Sequence, residues 1–191
     1  MDPAKPFTWA SGWKSPIYCD NRKTLAFPAI RTTIKEAFVN MIQKQFASVE
    51  VIVGVATGAV AQGALVAEAL QLPFAYVRSA PKDHGLNNLI EGDIHAGQKA
   101  VVIEDLISTG ASSLKAVEAL RSANVEVLGM VAIFTYGFSK AADSFAAAGC
   151  PIYTLTNYMT IIELAIEKSY ISSTMLSTLQ QWREAPDTWG V

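Results

Sequence analysis

The sequence predicts an α/β fold in which a parallel sheet is flanked by helices on both faces. Three observations lead there. Short apolar, β-branched runs alternate along the chain with Ala- and Leu-rich segments of helical composition. The runs are apolar at nearly every position instead of every second one, as in strands buried on both faces. Successive runs are separated by helix-length segments, the spacing of βαβ units.

Residues 1–27 are rich in aromatic and turn residues, among them Phe7, Trp9, Gly12, Trp13, Pro16 and Tyr18. Residues 28–46 read as a helix with Pro28 in its first turn. The first core strand is expected over 49–56 (VEVIVGVA), followed by a helix over 59–70 and a short strand over 74–78. A third strand is expected over 100–104 (AVVIE), then a loop and a helix near 112–123. A fourth strand follows over 125–134 (VEVLGMVAIF), a helix over 140–148 and a fifth strand over 151–155. Residues 160–182 read as two short helices whose apolar positions (Ile161, Leu164, Ala165; Met175, Leu176, Leu179) fit helical spacing and are expected in the core. The expectation is one domain over 1–191: an N-terminal segment and helix to 46, an α/β core over 47–158, and C-terminal helices over 159–191.

Bulk composition narrows the function. The 191 residues suffice for one domain with a substantial core. Hydrophobic residues make up 51%, which excludes disorder. Charged residues make up 17%, which suits a compact enzyme or a chain that buries surface in an oligomer. Lys and Arg number 15 against 17 Asp and Glu, with no basic run, so no nucleic-acid partner is expected. Cys19 and Cys150 are far apart and form no CxxC pattern, so a disulfide framework or zinc site is not expected, and reduced thiols in a cytoplasmic protein are. No signal peptide is expected from the N-terminus. The apolar stretches are interrupted before membrane-spanning length, so no membrane association is expected.

Residues 101–113 read VVIEDLISTGASS. An apolar strand ends in two adjacent acids, Glu104 and Asp105. Leu106, Ile107, Ser108, Thr109, Gly110, Ala111, Ser112 and Ser113 follow, and then a helix begins. Gly110 permits a tight turn and close backbone approach. The N–H groups of the loop and helix start can surround a phosphate, whose charge the helix dipole favours. The hydroxyls of Ser108, Thr109 and Ser112 add donors, and the acids can accept from sugar hydroxyls. An ordinary βα loop with a Ser/Thr cap accounts for Ser112. It does not account for an acidic pair at the end of an apolar strand, which is costly to bury without a polar partner. No Gly-Lys-Ser/Thr is present at Walker A spacing.

An acid–acid pair followed by Thr-Gly-x-Ser after a strand resembles the phosphoribosyl pyrophosphate (PRPP) motif of type I phosphoribosyltransferases. The resemblance implies that Glu104 and Asp105 hold the ribose hydroxyls. It implies that the segment Leu106, Ile107, Ser108, Thr109, Gly110, Ala111 and Ser112 cradles the 5′-phosphate. It also implies that fold's parallel sheet flanked by helices, with an N-terminal hood.

A second segment, residues 76–92 (YVRSAPKDHGLNNLIEG), carries Arg78, Lys82 and His84 ahead of a Gly/Asn-rich stretch. Such a loop can close on an anion, with Arg as a forked donor and Lys as a point charge. It resembles the catalytic loop of the orotate phosphoribosyltransferases within that family. The resemblance implies that Arg78, Lys82 and His84 engage the pyrophosphate, with Asp105 completing the catalytic set. It further implies a homodimer in which this loop closes over the neighbouring subunit's site. Residues 7–22 (FTWASGWKSPIYCDNR) are similar to the segment that forms the hood over the base, which places Tyr18 and Cys19 beside orotate. Lys14 either meets the orotate carboxylate or is a surface lysine in a turn. Trp9 and Trp13 are expected to pack the hood, and His95 to be exposed.

The resemblance runs from about residue 7 to 165, with departures. Ser79 stands where relatives carry a Lys after the loop Arg. Thr57, Gly58 and Ala59 occupy a loop that carries a Lys elsewhere. Tyr136, Gly137 and Phe138 follow the fourth strand where an Arg touches orotate; backbone groups near Gly137 or the Tyr136 side chain can substitute. The implied activity is transfer of ribose 5-phosphate from PRPP to orotate with Mg²⁺ as cofactor, the ion resting on ligand oxygens and water more than on protein groups. A phosphoribosyltransferase for another base and a non-catalytic PRPP-sensing regulator are the alternatives. The FTWASGWKSP and KDHG segments oppose the first, and the absence of a basic face opposes the second.

Overall fold

Strands that are apolar at every position need cover on both sides, and the sheet receives it. The structure is a computed structural model that describes residues 6–9, 12–80 and 89–189. In chain order its elements are β1 (Phe7–Thr8), β2 (Lys14–Ser15), a 3₁₀ turn (Asn21–Ala26), α1 (Pro28–Gln45), β3 (Val51–Val55), α2 (Val60–Leu70), β4 (Phe74–Val77) and β5 (Ile90–Glu91). Then come β6 (Lys99–Ile107), α3 (Ala111–Ser122), β7 (Glu126–Thr135), α4 (Ser139–Ala147), β8 (Ile152–Asn157), α5 (Tyr158–Glu167) and α6 (Ser173–Glu184). They fall into two compact units, Asn21–Tyr158, and Met1–Asp20 with Met159–Val191.

In the larger unit the strands lie in the order β5-β4-β3-β6-β7-β8. Neighbours are parallel except β4 and β5. The period-2 alternation of each strand sorts its apolar residues between two cores. Val51, Val53, Ala100, Val102, Met130 and Ala132 face one core, which α3 and α4 complete with Val117, Leu120, Ala141 and Phe145. Ile52, Val101, Ile103, Val131 and Ile133 face the other, covered by Phe38 and Ile42 of α1 and Val66 and Ala67 of α2. The α/β class and the parallel sheet flanked by helices are as expected.

The differences are local. Strand β6 runs to Ile107, three residues beyond the expected end at Glu104, because Leu106 and Ile107 continue the ladder against Phe134 and Thr135 of the long β7. Helix α3 begins at Ala111, and its cap is Gly110, with φ of +82° and no side-chain cap bond, instead of Ser112. Strand β5 was not expected: two residues carry no readable periodicity, and its pairing with Tyr76 and Val77 is decided by tertiary contact.

The smaller unit joins segments distant in sequence. β1 and β2 form an antiparallel pair, with Phe7 opposite Ser15 and Thr8 opposite Lys14. The fully buried Trp182 of α6 donates from Nε1 to the Lys14 carbonyl at 2.9 Å and meets Trp9 edge-on at 5.7 Å. Helix α6 is capped by Ser172, whose hydroxyl accepts from the Met175 N–H at 3.3 Å. Both C-terminal helices appear where helical spacing placed them, but of the positions expected in the core only Ala165 and Leu179 are buried, and Leu164 is exposed. Among the described residues no helix is long and apolar enough to cross a membrane, and no disulfide joins Cys19 to Cys150.

Candidate functional site

Parallel strands bring their C-terminal ends to one edge of a sheet, where an open α/β fold binds ligands. In the larger unit that edge collects Ala56–Ala59 after β3, Arg78 after β4, Ser108–Gly110 after β6 and Tyr136–Phe138 after β7.

The acidic pair lies inside the last turns of β6, so strand alternation sends its two side chains to opposite faces. Glu104 turns toward α3. It is only 4% exposed, and both of its oxygens are engaged: Oε2 accepts from Ser113 Oγ at 2.8 Å and Oε1 accepts from the Asp105 N–H at 2.9 Å. Burial, with the Asp105 carboxyl next in importance, pushes the Glu104 carboxyl up to about 8. Asp105 starts from the other face of the strand and is half-buried, but its carboxyl stays within reach of the Glu104 carboxyl. Its carboxylate lies against Gly58 so closely that a methyl group at that position would overlap it. The Asp105 carbonyl accepts from Asn21 Nδ2 at 2.6 Å. A side chain at 58 would displace the Asp105 carboxylate from this place.

Gly110 is a second glycine that a side chain would disturb. Its φ of +82° lies in the left-handed region, and a Cβ there would meet Phe145 Cε2 at 2.9 Å. With no side chain capping α3, the N–H groups at the start of α3 are aimed into the loop that Ser108, Thr109 and Gly110 form. This arrangement can accept an anionic oxygen cluster at the same strand end as the acidic pair. Of the proposed cradle, Ala111 and Ser112 are the first residues of α3 and Leu106 and Ile107 are strand residues. The Ile107 side chain is fully buried in the core, so it supports the loop from below.

Arg78 is partly exposed and pairs with Glu91 Oε1 at 3.6 Å, while its N–H donates to the Leu89 carbonyl at 2.8 Å. The antiparallel β4–β5 pairing thus anchors both ends of the second loop. Lys82 and His84 lie outside the described residues. Tyr136 is 2% exposed, stacked on Phe138 (centroids 5.6 Å apart, 7° between planes) and edge-on to Phe134 at 4.9 Å. Its ring is a packing element at the position of the missing Arg, and the Gly137 N–H donates to Thr135 Oγ1 at 3.0 Å. His95 is exposed, as expected, 3.7 Å from Asp93.

In the smaller unit Tyr18 is 54% exposed and packs on Phe7 at 5.6 Å. Lys14 donates from Nζ to Thr8 Oγ1 at 2.8 Å, so its cross-strand partner in β1 holds it. Sequence reasoning missed Asn21 and did not assign Ser113 a separate role. Asn21 had no local signal, since its partner is 84 residues away. Ser113 was legible only as another hydroxyl of the loop.

Any cation at this edge would meet a hard oxygen donor, the carboxylate of Asp105, while the buried Glu104 has both oxygens engaged. Among the described residues no group of three or more His, Cys, Asp or Glu forms a closed metal cage. That donor set fits an ion such as Mg²⁺, which keeps several waters and takes one or two carboxylates together with phosphate oxygens.

The model of the phosphoribosyl transferase domain matches residues 23–160 of the chain. The chain is 58% identical over its whole length to an orotate phosphoribosyltransferase of Porphyromonas gingivalis, 91% of which it covers. Among solved structures, orotate phosphoribosyltransferase from Aeropyrum pernix superposes with a TM-score of 0.74 and 28% identity, over 87% of this chain and 92% of that one. Leishmania donovani UMP synthase superposes with a TM-score of 0.79 and 26% identity over 93% of this chain, which spans 39% of the synthase. Family match, relatives and strand-end geometry agree: this chain belongs to the phosphoribosyltransferase family, on the branch of the orotate phosphoribosyltransferases.

Proposed function

We propose that the chain transfers the 5-phosphoribosyl group from PRPP to orotate, forming orotidine 5′-monophosphate and pyrophosphate in the synthesis of pyrimidine nucleotides. The observation that supports this most is the placing of Asp105 and Glu104 immediately ahead of the Gly110-capped anion loop. One strand end thereby offers acceptors for a vicinal diol and donors for a phosphate, the two ends of a ribose 5-phosphate.

Asp105 accepts from the ribose hydroxyls, and Glu104, whose oxygens keep unused lone pairs, adds a further acceptor. The N–H groups from Ser108 to Ser112 hold the 5′-phosphate with the helix dipole of α3 behind them. Orotate attacks through a ring N–H whose proton leaves to solvent or to the departing pyrophosphate as the N–C bond forms, and the chemical difficulty lies at the anomeric carbon, where positive charge develops as pyrophosphate leaves. Arg78 meets the leaving group while keeping Glu91, since a guanidinium has five donors. Lys82 and His84 add charge from the same loop, and its closure excludes water from the reacting carbon. Bound Mg²⁺ would supply further charge neutralisation on the pyrophosphate oxygens. Tyr18 and Lys14 contribute to the hood over the base. The reading includes a cytoplasmic homodimer in which the loop of one subunit closes over the other's site.

The test is orotate consumption by the purified protein with PRPP and Mg²⁺, with uracil, hypoxanthine and metal-free controls. Loss of orotate matched by pyrophosphate release is expected, and turnover only with another base would overturn the assignment. For shared sites, hybrid dimers of inactive Lys82→Ala and inactive Asp105→Asn chains should regain part of the activity; proven hybrids without rescue would sink that part.

A further inference from the structure

The Ser113 hydroxyl is 1% exposed and ends on Glu104 Oε2, whose other oxygen receives the Asp105 N–H. Asp105 in turn offers its carbonyl to Asn21. A chain of three hydrogen bonds therefore runs from the first turn of α3, through the buried Glu104, to the backbone of Asp105 and on to the 3₁₀ turn. Ser113 stands three residues past Gly110, on the buried side of α3 with Ala116, Val117 and Leu120. Its hydroxyl is spent on the Glu104 carboxyl. Its hydroxyl donates to a carboxyl that burial makes costly to ionise, so it holds Glu104 in one rotamer against that cost.

We propose that Ser113 is a positioning residue for recognition of the sugar diol. It locks the phosphate-binding helix to the acidic pair, so that phosphate and ribose hydroxyls are met in one fixed geometry. The proposal rests on the reading of this edge as a ribose 5-phosphate site. Without the hydroxyl, Glu104 loses its tether and Asp105 its backbone anchor, while the loop N–H groups stay where Gly110 sets them. The defect should fall on binding of the sugar and spare binding of an isolated phosphate.

The test uses Ser113→Ala, Ser113→Cys (near-equal in size, a weak donor) and Ser113→Thr (hydroxyl kept) in the full chain. KM for PRPP should rise about tenfold in the Ala and Cys variants, the equivalent of one buried hydrogen bond. Their kcat should stay within about twofold, and Thr should restore KM. By calorimetry, affinity for PRPP should fall in parallel, while affinity for inorganic phosphate stays at the wild-type value. Unchanged KM in Ala and Cys would overturn the proposal. So would a fall in kcat alone, or an equal loss for PRPP and phosphate. Failure of the underlying reading would appear differently, as wild-type protein that binds no PRPP.

Discussion

The buried carboxyl of Glu104 gives the most demanding test of the site as described. Its pKa is raised from the ordinary 4.5 to about 8, chiefly by burial. In the unfolded chain it ionises near 4.5, and in the folded chain not until about 8. Between those values the folded state binds the extra proton, so stability from this group is full below 4.5 and falls as pH rises through the window. At ~1.4 kcal/mol per pH unit, the whole interval sets a ceiling of about 5 kcal/mol on the penalty above pH 8. Glu104→Gln keeps the size of the side chain, and its amide can still accept the Asp105 N–H and donate to Ser113 Oγ, but it cannot ionise. Urea unfolding of wild type and variant at pH 5, 7 and 9 reads Glu104 together with the Asp105 carboxyl it interacts with, while titrations of distant groups cancel in the difference. The variant should gain on the wild type by at least ~2 kcal/mol between pH 5 and pH 9. Stability curves that stay parallel across that range would refute the account of Glu104 as a buried carboxyl held against its ionisation.

Three other perturbations follow from the same geometry. Asp105→Asn should weaken PRPP binding at least tenfold, by loss of ~1.5–3 kcal/mol of bonding to a charged acceptor; unchanged affinity in calorimetry would remove Asp105 from the sugar site. Gly110→Ala should cost ~1–2 kcal/mol from its left-handed backbone alone, with more from the contact at Phe145, and thermal unfolding at the wild-type temperature would contradict this. Gln62, 2% exposed on α2, has no hydrogen-bond partner for its side-chain oxygen or nitrogen among the described residues. Gln62→Leu should therefore raise stability by about 1 kcal/mol, and a destabilised variant would mean that the amide has a partner.

The order of elements and the two-sided burial of the sheet were legible in the chain itself. Runs such as VEVIVGVA and VEVLGMVAIF are apolar at adjacent positions, and that pattern demands cover on both faces wherever the strands end up. The anion loop was legible for a related reason: an acidic pair, a glycine and hydroxyls at the end of a strand conflict with simple burial, and local conflict marks a site. Residues whose part depends on distant partners were not legible. Asn21 reaches Asp105 across 84 positions, and β5 exists only through Tyr76 and Val77. Nothing local distinguishes Tyr136 as a buried ring from Tyr136 as a base contact; its stacking on Phe138 and contact with Phe134 decide it. The sequence by itself determined the order and approximate place of the main core strands, since that follows from local periodicity, but not the end of β6, which runs on to Ile107. Only the tertiary structure decided that Glu104 faces inward to Ser113 while Asp105 faces Gly58. A strand sends neighbouring side chains to opposite sides, and what waits on each side is set by helices packed from elsewhere in the chain.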